Sequence, residues 1–201
     1  MSDIQKALAD IGDIRLRLAA GTVFRGFGPT VIAVSGGLAI ALASAQSVWG
    51  GGDAIAFLGA WVAVAVVSAV LIGLETGART RRHHGGLADA MLINAVEHFL
   101  PFGAAGAVVA GIVLRFAPDI AWILPGLWQM TIGLGLFAAC RFLPRAVAIA
   151  AAWYFLAGAG ALIFASDGRA LSPWSMGLPF GAGQAVLALI LHVAREDADG
   201  R

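Results

Sequence analysis

The chain has 201 residues, of which 60% are hydrophobic and only 12% are charged. An ordinary soluble domain carries about 25% charged residues. A chain with so few charged residues and so many apolar ones is expected to be embedded in lipid. The net charge of +1 argues against the basic field of a nucleic-acid-binding protein, and the single cysteine excludes an intrachain disulfide bond.

Residues 1–28 precede the first long apolar run and predict an amphipathic helix with a connector. Apolar residues recur at three- and four-residue steps from Ile4 to Leu18, and most of the charged residues take the other side. A cleavable signal peptide has a short basic start and a shorter apolar core, so this segment is expected to be retained. The helix either lies on the inner membrane surface or docks onto a partner or a second copy of the chain.

Six apolar runs follow, and they predict an all-α integral membrane protein. About 20 residues at ~1.5 Å each cross the ~30 Å hydrocarbon layer, and the runs lack the alternation of a membrane barrel. A bundle of six transmembrane helices is therefore expected in residues 29–194, followed by a cytoplasmic tail in residues 195–201. The runs are Pro29–Trp49, Ala54–Leu74, the shorter Phe99–Leu114, Ile120–Cys140, Ala146–Ser166 and Pro173–Leu191.

The basic residues predict the orientation of this bundle. With the N-terminus inside, eleven of the 13 lysine and arginine residues fall in inner segments, and only Arg115 and Arg169 fall outside. Both termini are therefore expected in the cytoplasm, and the chain in a bacterial inner membrane. Arg79, Arg81 and Arg82 are interpreted as an anchor at the inner surface. A more specific hypothesis is that they bind anionic lipid headgroups.

Two copies of one motif predict an internal repeat. LPFGAAGAVVA begins at Leu100 and LPFGAGQAVLA begins at Leu178, in the third and sixth helices, which run in opposite directions. A 3+3 inverted repeat is one hypothesis, and chance similarity between alanine- and glycine-rich helices is the other. Weaker echoes have the same three-helix offset: Pro29 and Gly37 with Pro125 and Gly133, and Phe57 with Phe142.

Small residues at four-residue spacing let helix backbones approach closely in lipid, where packing replaces the hydrophobic effect. The third and sixth helices each carry such a stripe, and both stripes are predicted to be helix–helix packing faces. Their members are Gly103, Ala107 and Gly111 in the third helix and Gly177, Gly181 and Ala185 in the sixth.

Glu97 and His98 are the main candidates for a polar or proton-carrying site, with Asn94 one turn away and Glu75 at the end of the second run. If the third helix starts after Gly86, they lie roughly 16 Å along it, inside the membrane, where ionisable groups are usually functional. If LPFGA opens the span, as is expected in the sixth helix, residues 87–98 form a separate amphipathic piece at the inner surface. The sequence leaves both placements open.

Other chemistry is sparse. His98 and His192 lie on different helices and are weak candidates for haem ligands, with two interfacial histidines as the simpler interpretation. No cofactor and no other metal site is predicted, because no HExxH, phosphate-binding loop or acidic cluster is present. Polar groups within the spans are expected to make interhelical hydrogen bonds, or else to line a cavity: Gln46, Trp128, Gln129, Tyr154 and Gln184.

Three stretches carry a family resemblance: GTVFRGFGP from Gly21, ARTRRHHGGLADAM from Ala78 and LPGLWQ from Leu124. In these stretches the chain resembles a family of small six-helix bacterial inner-membrane proteins, and the resemblance extends over essentially the whole chain. It implies the six-helix layout and carries no catalytic residue.

The expected function is that of a non-catalytic accessory or regulatory membrane component. Such a protein would act through its cytoplasmic face, on a membrane or cytoplasmic protein partner or as a homo-oligomer. The first alternative is a small transporter or channel, proton-linked through Glu97 and His98. The second alternative is a haem-binding membrane redox protein.

Overall fold

The computed structural model describes residues 28–50, 53–84, 88–141, 143–164 and 171–199, with the side chains of 79–96, 98–99 and 197–199 excepted. Residues 1–27, which hold the predicted surface helix, lie outside the described residues. The described residues contain no strand. They form α1 Pro29–Trp49, α2 Ala54–His84, α3 Ala88–Phe116, α4 Leu124–Ala139, α5 Val147–Phe164 and α6 Pro173–Asp199, with a 3-10 helix at Pro118–Ile123 before α4.

The helices have the composition of a membrane bundle. Five are long and apolar enough to cross a membrane, and Leu100–Phe116 in α3 is a shorter apolar segment. Large apolar side chains such as Val66, Leu156 and Leu189 point outward and are exposed. Soluble monomers rarely expose apolar patches of this extent, so the fold is compatible with a helical membrane protein.

The helices form a ring in chain order, because each contacts the next and α6 returns to α1. The closest pairs are α1 with α6 and α4 with α5. Glycine explains both pairs. A Cβ at Gly133 would lie 2.8 Å from the backbone nitrogen of Phe155, and a Cβ at Gly177 would overlap the side chain of Ala43. Backbones at these crossings therefore touch directly, as small residues permit in lipid.

Two of the predicted boundaries need correction. α1 has the predicted bounds, but α2 continues past Leu74 to His84. α3 extends beyond the apolar run from Phe99 and begins at Ala88, in agreement with the alternative in which the third helix starts after Gly86. α6 begins at Pro173, so Pro179 lies inside the helix and the expectation that LPFGA opens this span is wrong. Pro101 also lies inside its helix, so residues 88–98 form one continuous helix with the apolar segment of α3 and are not a separate piece.

Candidate functional site

Glu97 lies at the end of the bundle, with an exposed side chain. The depth of Glu97 follows from Phe102, whose ring packs against Gly135 of α4. A Cβ added to Gly135 would lie 3.3 Å from this ring. Glu97 is about 7.5 Å along α3 from Phe102, and α4 ends at Ala139, about 6 Å beyond Gly135. Because α3 and α4 run antiparallel, Glu97 stands close to the level at which α4 ends.

Glu75 marks the same end of the bundle from α2. Its carboxylate lies against Gly28, the residue before α1, and the neighbouring Thr76 is 2% exposed. The first N–H groups of a helix have no partner within the helix, and together with the helix dipole they favour a nearby negative charge. Glu75 therefore sits where α1 begins, and it is a candidate for stabilising that start.

The remaining members of the predicted polar site are only partly described. The backbone of Asn94 and His98 is helical within α3, but their side chains lie outside the described residues. The side chains of the predicted lipid anchor, Arg79, Arg81 and Arg82, also lie outside them, although the backbone there continues α2. Glu75 and Glu97 thus share one end of the bundle, and a proton-carrying site at this end stays a prediction.

The two histidines of the haem hypothesis stand on helices that are not neighbours in the ring. α3 packs against α2 and α4, whereas α6 packs chiefly against α1 and α5. His192 is exposed, and its Nε2 atom lies 3.4 Å from the Glu196 carboxylate one turn on. Among the described side chains, no group of three or more His, Cys, Asp or Glu could hold a metal ion.

The two small-residue stripes have different surroundings. Gly181 faces α1, where a Cβ would lie 2.6 Å from the end of the Ile40 side chain, and Ala185 is exposed. A Cβ at Gly103 or Gly111 would meet no described atom within 4 Å, and Ala107 is exposed. The contact of α3 with α4 is made one residue away, at Phe102 and Gly106, so the predicted stripe of α3 faces outward.

α6 lacks one backbone hydrogen bond, and a side chain of another helix supplies it. Proline has no N–H, so Pro179 leaves the carbonyl of Ser175 without its usual helical donor. The Gln129 side chain of α4 donates its Nε2–H to this carbonyl at 2.9 Å, and Gln129 is fully buried. Inside a membrane a freed backbone group must be satisfied by the protein, and Gln129 does this.

Two aromatic side chains of α5 hold the same stretch. The indole N–H of Trp153 donates to the Pro179 carbonyl at 2.9 Å, and the buried Tyr154 hydroxyl donates to the Phe180 carbonyl at 3.4 Å. The Tyr154 and Phe180 rings meet edge to face with centroids 5.5 Å apart, and Trp61 of α2 stacks on Phe180 at 6.2 Å. The LPFG segment of α6 is therefore the point where α2, α5 and α6 meet.

The prediction of interhelical hydrogen bonds is confirmed for most of the polar groups within the spans. The indole N–H of Trp61 donates to Gln46 at 3.0 Å, and that of Trp128 donates to the Gly106 carbonyl of α3 at 3.1 Å. Ser175 and Trp153 were not among the predicted residues. The signal for Ser175 was present, because a proline within a span always leaves the carbonyl four residues earlier in need of a donor.

No family model, curated protein or solved structure matches this chain. The family resemblance read from the sequence therefore stays a prediction.

Proposed function

We propose that the protein is a six-span component of the bacterial inner membrane, with both termini in the cytoplasm, that acts without catalysis by presenting helices to a protein partner. The observation that carries this proposal is the length of α2 and α3 beyond the end of the bundle. α2 continues for nine residues after Glu75, and α3 begins nine residues before Glu97.

Six spans are supported by the length of α3. From Phe99 to Phe116 it has 18 residues, all uncharged except Arg115. α5 has the same number and is apolar and long enough to cross a membrane. Eighteen residues extend about 27 Å, close to the thickness of the hydrocarbon layer. With six spans the two chain ends share one side, and the distribution of basic residues places that side in the cytoplasm.

The extensions of α2 and α3 favour a partner in the aqueous phase. Nine helical residues extend about 13 Å, whereas the headgroup layer on one side of a bilayer is only about 5–8 Å thick. Even a moderately tilted pair of helices would therefore clear the headgroups. These extensions carry acidic and basic residues together, from Arg79 to Glu97, which is typical of a solvated surface that recognises protein.

The orientation is tested with Cys140, the one cysteine of the chain, which follows α4 at the proposed inner end. A membrane-impermeant maleimide should label inverted membrane vesicles and leave right-side-out vesicles unlabelled. Only the thiolate reacts, so labelling should accelerate as the pH rises. Labelling of right-side-out vesicles alone would reverse the proposed orientation.

The partner is tested by site-specific photocrosslinking in living cells. A photoreactive amino acid at Glu97, which is exposed at the proposed inner end, should yield a discrete crosslinked product that mass spectrometry identifies as a single protein. The matched control is the same amino acid at Asp53, an exposed acid at the opposite end of the bundle. Equal products from both positions, or none from Glu97, would contradict the accessory role.

A small transporter is the second candidate, and one observation favours it. Pro101 and Pro179 interrupt α3 and α6, and paired interruptions in corresponding positions of two halves are typical of transporter binding sites. The phenylalanines that follow also have related surroundings. Phe102 packs on Gly135 of α4, and Phe180 packs on the cluster that contains Ala39 of α1. In the predicted inverted repeat, Ala39 is the counterpart of Gly135.

The transport candidate is tested in proteoliposomes that contain a pH-sensitive dye. Proton entry should exceed that of protein-free vesicles, and Glu97→Gln and His98→Ala should each reduce it several-fold if these residues carry protons. Glu196→Gln is the matched control, because Glu196 is an exposed acid on another helix at the same side. Proton entry at the protein-free rate would exclude a proton-linked transporter.

A further inference from the structure

Gln184 is a polar side chain in the middle of the bundle, between two apolar clusters. Toward the outer side lies the cluster that contains Ala39, Trp61 and Met176, and toward the inner side lies the one that contains Ile32 and Leu187. The side chain leaves α6 beside Gly36 of α1, where a Cβ would lie 2.9 Å from the Gln184 Cβ. Its position is therefore fixed at the crossing of α1 and α6.

The amide of Gln184 is unsatisfied within the described part of the chain. Its Oε1 atom is buried and accepts no hydrogen bond there, and none of the described residues accepts one from its Nε2 atom. Gln46 and Gln129 differ on the donor side, because the amide nitrogen of each donates to a carbonyl of another helix, although the Oε1 atom of Gln129 is likewise buried without a partner. An amide within the hydrocarbon layer without any partner is unfavourable, so this position favours a molecule that can form hydrogen bonds with it.

The packing of α2 leaves its inward face only partly covered at this level. The face of α2 that meets the bundle is buried at Trp61 and again at Thr76, but between them Val64 and Ser68 are only partly buried. Trp61 bonds to Gln46 of α1, and Glu75 lies against Gly28, so the antiparallel register places Ser68 level with residues 35–37. Ser68 and Gln184 therefore stand at about the same depth, on two helices that both pack against α1.

We propose that Gln184 is the polar anchor of a solute-binding site near the middle of the membrane, which opens between α1, α2 and α6 and takes a small uncharged molecule with hydroxyl groups. A hydroxyl group donates to the amide oxygen and accepts from the amide nitrogen, as this unsatisfied amide requires. Among the described residues the charged side chains stand at the two ends of the bundle, so a charged solute would have no counter-charge at this depth.

The site goes beyond the accessory role and does not depend on it. It rests on the placement of the helices in a membrane and on the contacts around Gln184. It would also supply what the transport candidate needs, a polar position near the midplane beside an interrupted helix.

The opening is tested by thiol modification in membrane vesicles of the full chain, in a Cys140→Ala background. Gln184→Cys and Ser68→Cys are compared with Ala185→Cys, the next position along α6, which is exposed on the outer surface of the bundle. A charged methanethiosulfonate reacts with a thiol only where water reaches it. Modification at positions 184 and 68 should be at least tenfold faster than at position 185. Rates at both positions no faster than at 185 would overturn the site.

The solute class is tested with glycerol as the probe and Ser68→Cys as the reporter, because this variant retains the Gln184 anchor. Glycerol should slow the modification, by about twofold when its concentration equals its dissociation constant. Glycine betaine, a zwitterion that has no hydroxyl group, should give no protection at the same osmolarity. Gln184→Leu should abolish the glycerol effect. Protection that is absent, or that persists in Gln184→Leu, would overturn the assignment of the anchor.

Discussion

Gln129→Leu should destabilise the folded protein by about 1–3 kcal/mol, and it should cost much less when Pro179 is also replaced by alanine. In the native chain Gln129 supplies the hydrogen bond that Pro179 denies to the Ser175 carbonyl. Leucine removes the amide donor from this partly buried carbonyl. Pro179→Ala restores the backbone N–H four residues on, so the helix itself satisfies the carbonyl and Gln129 becomes largely dispensable.

The double-mutant cycle is measured by unfolding in detergent micelles with increasing sodium dodecyl sulfate. The coupling between Gln129→Leu and Pro179→Ala should be at least about 1 kcal/mol. Trp128→Phe is the matched control, because it removes a donor to the Gly106 carbonyl of α3 and leaves α6 intact. Its cost should be the same with and without Pro179→Ala. Additive effects of Gln129→Leu and Pro179→Ala would show that the Gln129 side-chain amide does not replace the missing backbone hydrogen bond of α6.

Gly158→Ala should destabilise the bundle by about 1–3 kcal/mol or more, because it inserts a methyl group where two helix backbones touch. A Cβ at this position would lie 2.5 Å from the Gly126 carbonyl oxygen and 2.8 Å from the backbone nitrogen of Met130, both in α4. Neither atom belongs to a flexible side chain, so a change of rotamer gives no relief. α4 and α5 would have to move apart along their whole contact.

Gly160→Ala is the matched control in the same helix. A Cβ at Gly160 would meet no described atom within 4 Å, so this variant tests the intrinsic effect of the substitution. Alanine is the better helix former by up to about 1 kcal/mol, and Gly160→Ala should therefore be neutral or slightly stabilising. The same unfolding assay compares the two. Equal stabilities for Gly158→Ala and Gly160→Ala would contradict direct backbone contact between α4 and α5.

The ring has two tightly joined pairs, α1 with α6 and α4 with α5, and a less embedded hairpin of α2 and α3. The outer part of this hairpin packs against α6 through Trp61 and Phe180, and α3 packs against α4 through Phe102 at Gly135. The proposed partner surface and the proposed solute opening both involve this hairpin. A movement of α2 and α3 against the rest would change the opening beside Gln184 and the position of Glu97 together.

The sequence determined the elements of this fold that depend on local composition. The bounds of α1 were predicted from the uncharged run between Pro29 and Trp49, and the six apolar runs correspond to six helices. The length of an apolar run sets the length of a span, because every backbone group in lipid must be paired within its own segment. Polar residues within such runs were equally predictable as hydrogen-bonding partners between helices.

Only the tertiary structure decided which residues meet. A four-residue glycine spacing occurs in both α3 and α6, yet Gly181 contacts α1 and Gly103 faces outward, since the rotation of a helix about its axis depends on its neighbours. The sequence left open whether α3 begins after Gly86 or near Phe99, and only the structure shows that it begins at Ala88 and carries Glu97 to the level where α4 ends. The pairing of Gln129 with Ser175 joins residues 46 positions apart. Such contacts depend on how the helices cross, which local sequence does not encode.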